Sequence, residues 1–225
     1  MGFDLLIERY RGTEATHVEV PQGTTQILPD AFRGHGEIEA ITLPISLQSI
    51  GPRAFSGCSS LRDVHIPQGV FELGEGAFSG CTALESVHLP SGVLKIPASA
   101  FALCRQLQQV SGGEEVYHLG RSAFQGCASL QELPLLAHVE RMDAEALAGC
   151  SSFIRLELAE AMTSLGNEAF KCCHSLEAVR LPTYVERLGR DLFAVCPKLT
   201  HLENLTASLV EDFPDALPRR FREFT

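Results

Sequence analysis

Apolar positions recur along this chain every 23 residues, a spacing far longer than the period of a helix face or a strand. The pair Ala-Phe returns at Ala31-Phe32, Ala54-Phe55, Ala77-Phe78, Ala100-Phe101, Ala123-Phe124 and Ala169-Phe170. Ala146-Leu147 and Leu192-Phe193 fill the remaining positions, so eight beats run in phase. The consensus unit reads A-F-x-G-C-x-x-L-x-x-V-x-L-P-x-x-V-x-x-L-G-x-x, and Ala77 to Ser99 is a good copy. A period of this length marks stacked units, each of which cannot bury its apolar face alone.

The local pattern predicts the elements of each coil. The stretch from Leu84 to Leu89 ends in period-2 alternation, which suits a short strand. Stacked coils would set such strands side by side at ~4.8 Å in a parallel sheet, so that nine coils make a rod ~40 Å long. Pro21, Pro44, Pro67, Pro90 and Pro182 follow most strands and end the pairing, since proline has no N–H to donate. A second apolar pair, as in Val93 and Ile96 or Val185 and Leu188, faces the core from the opposite wall and predicts a second short strand. Gly51, Gly74, Gly120, Gly166 and Gly189 then suit a turn. The A-F-x-G-C segment, preceded in places by the capping residues Asp30, Ser99 or Ser122, suits one turn of helix.

Val18, Val20, Pro21 and Ile27 keep the register of a partial earlier unit. Residues 1–30 are therefore expected to form an N-terminal cap and partial repeat, residues 31–204 the eight repeats, and residues 205–225 a C-terminal cap. Within the array, Gly112 and Gly113 replace the inward Leu and the Pro, with Glu114 and Glu115 after them. That coil is expected to be the loosest, either as a hinge or an insertion point for a ligand or as a tolerated local defect.

Composition adds a sign to the surface. With 28 acidic against 18 basic side chains the net charge is −10, which disfavours nucleic-acid backbone and anionic lipid as partners. No apolar run approaches the ~20 residues needed to span a bilayer, so membrane insertion is not expected. Met1 to Arg11 carries Asp4, Glu8 and Arg9 around a short apolar stretch and lacks the pattern of a secretory signal. The expected location is cytoplasmic if the chain is full length, and the cell surface or outside if a signal segment has been removed.

The repeated A-F-x-G-C-x-x-L-x-x-V-x-L-P-x-x-V-x-x-I-G resembles the leucine-rich repeats of the BspA type, also called the Treponema pallidum type, over about residues 18–204. The phrase Tyr10-Arg-Gly12 followed by Val18-Glu-Val20-Pro21 looks like the lead-in to such arrays. The resemblance implies an α/β leucine-rich-repeat solenoid of right-handed 23-residue coils, with a parallel β-sheet, a second short-strand wall and short helical turns. It also implies cell-surface adhesion to partner macromolecules, with no catalytic residues to carry over.

Cys58, Cys81, Cys104, Cys127, Cys150, Cys173 and Cys196 share one beat and are expected to pack inward as small apolar groups with a weak donor. His35 takes that beat in the first coil. The absence of a C-x-x-C pair argues against zinc, and no metal or cofactor is expected. Cys172, Cys173 and His174 form the one cluster suggestive of a reactive thiol, yet no orienting Asp or Asn accompanies them.

Two surfaces remain as candidates for binding. On the outer face of the main sheet, one row runs Glu39, Arg62, Glu85, Gln108, Gln131, Ile154, Glu177, and another runs Thr42, His65, His88, Ser111, Pro134, Glu157, Arg180, Glu203. Charge alternates at Glu39-Arg62-Glu85 and Glu157-Arg180-Glu203, consistent either with cross-strand pairing or with partner reading. His65 and His88 are expected to be neighbours. On the second wall Phe71, Leu94 and Tyr117 follow the inward Val in successive coils and form an apolar stripe, either a contact site or a partly buried edge. At the C-terminus Arg219, Arg220 and Arg222 with Phe221 and Phe224 form a basic-aromatic cluster, read as a cap over the last coil, with contact to an acidic partner as the alternative. These features point to a non-catalytic module that binds a protein or a glycan, its oligomeric state open. A structural or adhesive cell-surface repeat protein is the alternative, and a cysteine-dependent enzyme ranks last.

Overall fold

The computed structural model of the chain describes residues 5–8, 10 and 15–221. Among them the 23-residue period becomes a parallel β-solenoid with three walls. The main wall comes from the V-x-L segment. Its strands His17–Glu19, Ala40–Thr42, Asp63–His65, Ser86–Leu89 and Gln109–Gly112 form one parallel sheet, and Arg155–Glu157, Ala178–Arg180 and His201–Glu203 form another. The second wall likewise has two sheets. One holds Leu5–Ile7, Thr24–Ile27, Ser49–Ile50 and Glu72–Leu73. The other holds Lys95–Ile96, His118–Leu119, Arg141–Met142, Ser164–Leu165 and Arg187–Leu188.

Each of the two strand-bearing walls is interrupted by a proline that the repeat pattern did not flag. At the centre of the main wall Pro134 sits inside the expected strand, where it cannot donate to a ladder. The segment Pro134–Ala137 instead winds into a 3₁₀ turn that buries Leu135 and Leu136. In the second wall Gly51, Gly74, Gly120 and Gly189 each donate a backbone N–H to the preceding coil at 2.7–2.8 Å. Pro97 occupies the same position without a donor, and pairing stops between Leu73 and Ile96.

The third wall corrects the expected helical turn. Two positions per coil have left-handed backbone: one column runs Asp30, Arg53, Gly76, Ser99, Ser122, Glu145, Glu168, Asp191, and the other Gly34, Gly57, Gly80, Leu103, Gly126, Gly149, Cys172, Val195. Asp30, Ser99 and Ser122 therefore cannot act as helix caps, whose backbone is extended. The turns overlap, and alternate N–H groups point along the rod. Ala54, Ser56 and Cys58 donate within the coil to Gly51, Arg53 and Phe55, while Phe55 and Gly57 donate to Ala77 and Ser79 of the next coil at 2.8 Å. Half of the donors that a helix would satisfy internally thus join coils instead.

The core is a set of ladders. Phe32, Phe55, Phe78, Phe101 and Phe124 stack with ring centroids 5.0–5.5 Å apart, and Phe170 stacks on Phe193 at 5.3 Å. Tyr10 extends the stack at 5.2 Å from Phe32, which makes it the cap's stand-in for phenylalanine. Leu147 interrupts the ladder, but the next coil-facing leucine of that repeat is replaced by the buried Phe153, so apolar volume within the coil is conserved.

The coil with Gly112 and Gly113 is not loose, contrary to expectation. Gln109–Gly112 pairs over four residues with Ser86–Leu89. Both glycines have positive φ, at 73° and 72°, and a Cβ on Gly112 would overlap the carbonyl oxygen of Leu89. Their purpose is close approach between coils. At the C-terminal end the helix Ala207–Asp212 is capped by the Thr206 hydroxyl, which accepts from Leu209 N–H at 3.3 Å. Asp215 and Ala216 accept from Asp191 and Leu192, in the place of one more coil. Phe221 is buried there; Arg222 and Phe224 of the basic-aromatic cluster, and Arg11 and Gly12 of the lead-in, lie outside the described residues.

Candidate binding surfaces

On the main wall the inward Val64 of Asp63–His65 and Val87 of Ser86–Leu89 send their two flanking residues outward, whereas Ala178 beside Val179 is buried. The pairing register aligns Thr42 and Glu19, then His65 with His88 and His88 with Ser111. The two imidazoles stack face to face, with centroids 4.8 Å apart and planes 4° from parallel. His88 Nδ1 lies 3.0 Å from Ser111 Oγ, and Gln68 Nε2 lies 3.4 Å from His88 Nε2. Among the described residues no group of three His, Cys, Asp or Glu is arranged to hold a metal ion.

The sequence rows omitted the column directly on the sheet face, Ala40, Asp63, Ser86 and Gln109, which the register places side by side. The signal was present, because alternation around Val exposes both neighbours, not only the following one. The charge alternation is realised only in part. Arg62 reaches Glu85 at 3.7 Å, but Arg180 turns to Glu160 at 3.7 Å, and Glu203 meets Arg155 at 3.8 Å. These pairs are exposed, so each contributes little to stability.

The second wall carries the apolar stripe. Phe71 is 62% exposed and Leu94 50%, while Tyr117 is half-buried with Lys95 Nζ 5.5 Å from its ring centre. Backbone bonds from Phe71 N–H to Gln48 and from Tyr117 N–H to Leu94 hold the stripe on the wall. At its N-terminal side Ile45 is 87% exposed. The next column outward, in register, reads Lys95, His118, Arg141, Ser164, Arg187. Around Arg141, Ser164 and Arg187 a shallow cleft of about 470 Å³ also takes in Asn167 and Phe213.

The cysteine ladder is scaffold in its geometry. Each thiol is buried and donates to the carbonyl of the aromatic or leucine residue 26 positions earlier, from Cys58 to Phe32 O at 3.2 Å through Cys196 to Phe170 O at 3.1 Å. Burial pushes Cys58, Cys104 and Cys150 up to about 12 and raises Cys81 and Cys127 well above the usual thiol range. Cys173 is raised by its hydrogen bond with Cys196 and by burial. Cys172 is half-buried and His174 exposed, so the Cys172-Cys173-His174 cluster is split between surface and core. His35 is held by Glu37, 2.7 Å from Nδ1, and this bond lowers the Glu37 carboxyl.

The sequence model of the BspA type leucine rich repeat region matches residues 8–131 and 72–200, in six copies. Among solved structures, a leucine-rich cell surface protein from Faecalibacterium prausnitzii is similar at 26% identity with a TM-score of 0.59, over 89% of this chain and 62% of that one. A leucine-rich repeat protein from Eubacterium ventriosum is similar in fold, at 21% identity and a TM-score of 0.69, over 74% of this chain and 45% of that one. The chain thus spans less than two thirds of either structure. No curated protein matches it.

Proposed function

This chain belongs to the BspA-type leucine-rich repeat family, and on that premise we propose that it is a non-catalytic module that binds another macromolecule, a protein or a glycan, through its outer surface. The observation that carries the reading is the second-wall stripe, where Phe71 and Leu94 stand exposed on either side of the seam between Leu73 and Ile96 and Tyr117 is tied to Leu94 by its backbone N–H. Large apolar side chains fixed on a rigid surface give contact area with little ordering entropy left to lose. In the Cys172-Cys173-His174 cluster, Cys173 is buried and its thiol is raised by its hydrogen bond with Cys196 and by burial, which disfavours the thiolate. Similarity to a cell-surface protein supports a location where such a surface meets neighbouring or host macromolecules.

The test is capture of partners by the immobilised chain and by the Phe71→Ser/Tyr117→Ser double variant. The double variant is expected to keep its circular dichroism and to lose about 30-fold or more in affinity for the partner that the native chain captures, as for an aromatic hot spot. Undiminished capture would dismiss the stripe as the contact site.

A further inference from the structure

The second wall has more than the apolar stripe. In the column beside it, Lys95, His118, Arg141 and Arg187 lie in register, with Ser164 between the two arginines. The residues next to Lys95, His118, Arg141 and Ser164, namely Ile96, Leu119, Met142 and Leu165, are buried and Leu188 after Arg187 is half-buried, so alternation turns this column outward. In a chain with ten more acidic than basic groups, Lys95, Arg141 and Arg187 along one wall stand out as a row of positive charge. Among the described residues neither Lys95, Arg141 nor Arg187 makes an ion pair, whereas Arg33, Arg53, Arg62, Arg121, Arg155 and Arg180 do. His118 Nε2 lies 3.0 Å from Asp143, and Glu140 and Glu186 stand exposed one residue before the two arginines.

We propose that this wall is a track for an acidic polysaccharide laid along the rod axis. The inference rests on the reading of the second wall as the binding surface and names its ligand class. Strand stacking sets cations at multiples of ~4.8 Å along a straight line. A polysaccharide with one carboxylate or sulfate per repeat also carries its charge at regular steps, which a flexible acidic peptide does not. Arginine suits both anions because its planar fork donates two parallel hydrogen bonds. Beside this column on the same wall run Phe71, Leu94 and Tyr117, whose side chains can cover the C–H side of a sugar ring, and Lys95 sits 5.5 Å from the Tyr117 ring centre, between the apolar stripe and the arginines. The Ser164 and Asn167 side chains in the cleft supply neutral donors and acceptors for hydroxyl groups.

The experiment uses calorimetry of the full chain with polygalacturonate and with chondroitin sulfate, set against dextran, polyglutamate and a single-stranded oligonucleotide. Binding of an acidic polysaccharide is expected, weakening as salt is raised. Arg141→Ser/Arg187→Ser should weaken it about tenfold or more, and Arg62→Ser on the main wall should leave it unchanged. The proposal is overturned if neither acidic polysaccharide binds, if the Arg62 variant loses as much, or if polyglutamate or the oligonucleotide binds as well. Failure here with partner capture still sensitive to Phe71→Ser/Tyr117→Ser would remove the ligand class and leave the module reading standing. Loss of both would remove both.

Discussion

At the scale of single residues, the cysteine ladder links the fold to pH. In the core Cys104 holds its proton up to about 12, against an ordinary value of 9.0, because burial penalises the thiolate. Above pH 9 the unfolded chain would release protons that the folded chain keeps, so deprotonation favours unfolding. The ladder's contribution is therefore complete below about pH 9 and is lost as pH rises toward about 12, by roughly 1 kcal/mol per thiol per pH unit. Cys58, Cys81, Cys127, Cys150 and Cys173 share the direction, so the losses add along the rod. The reduced protein should lose its far-ultraviolet dichroism steeply between about pH 9 and 11; a fold intact above that range would refute the account. The inward placement of these thiols was legible from their shared beat. Their hydrogen bonds to carbonyls 26 residues earlier were not, since only coil stacking brings Cys81 over Phe55.

At the scale of elements, strand positions were readable because Val and Leu alternate with polar residues, and the second wall because its apolar pair recurs. The helical turn was misread for a local reason. A-F-x-G-C has the look of a helix start, but its left-handed positions at Arg53 and Gly57 flip alternate peptides toward the next coil. Pro97 and Pro134 were visible in sequence; their effect depends on what lies across the gap, which one coil alone does not show. The Gly112-Gly113 coil carries the sharpest test at this scale. Gly112→Ala would place a methyl group against the Leu89 carbonyl and force a left-handed backbone on alanine. It is expected to lower stability by about 2–3 kcal/mol in urea denaturation. A change within about 0.5 kcal/mol would restore the view of this coil as a tolerant defect.

At the scale of the whole molecule, the two proline seams are staggered. Between Leu73 and Ile96 the second wall is unpaired, but the main wall runs on from Asp63–His65 to Gln109–Gly112. Around Pro134 the main wall is unpaired, but the second wall runs on from His118–Leu119 through Arg141–Met142 to Ser164–Leu165. No boundary between these coils thus loses both sheets, and the turn wall continues past each seam, from Phe78 N–H to Ala100 O at one and from Phe124 N–H to Ala146 O at the other. In a stacked array, cooperativity depends on nearest-neighbour coupling, so aligning the seams should divide the rod. Asp143 offers the means. Its N–H donates to Leu119 O at 2.8 Å across the boundary where the main wall is already open, and the preceding Met142 is in a strand, a backbone that proline tolerates before it. Asp143→Pro is expected to split a single urea transition into two, one for each half of the array. Asp143→Ala, which removes the contact with His118 but keeps the donor, should retain a single transition. One transition in the proline variant would show that the turn wall and core, rather than the paired sheets, carry the coupling between coils, and two in the alanine variant would assign it to the Asp143–His118 contact.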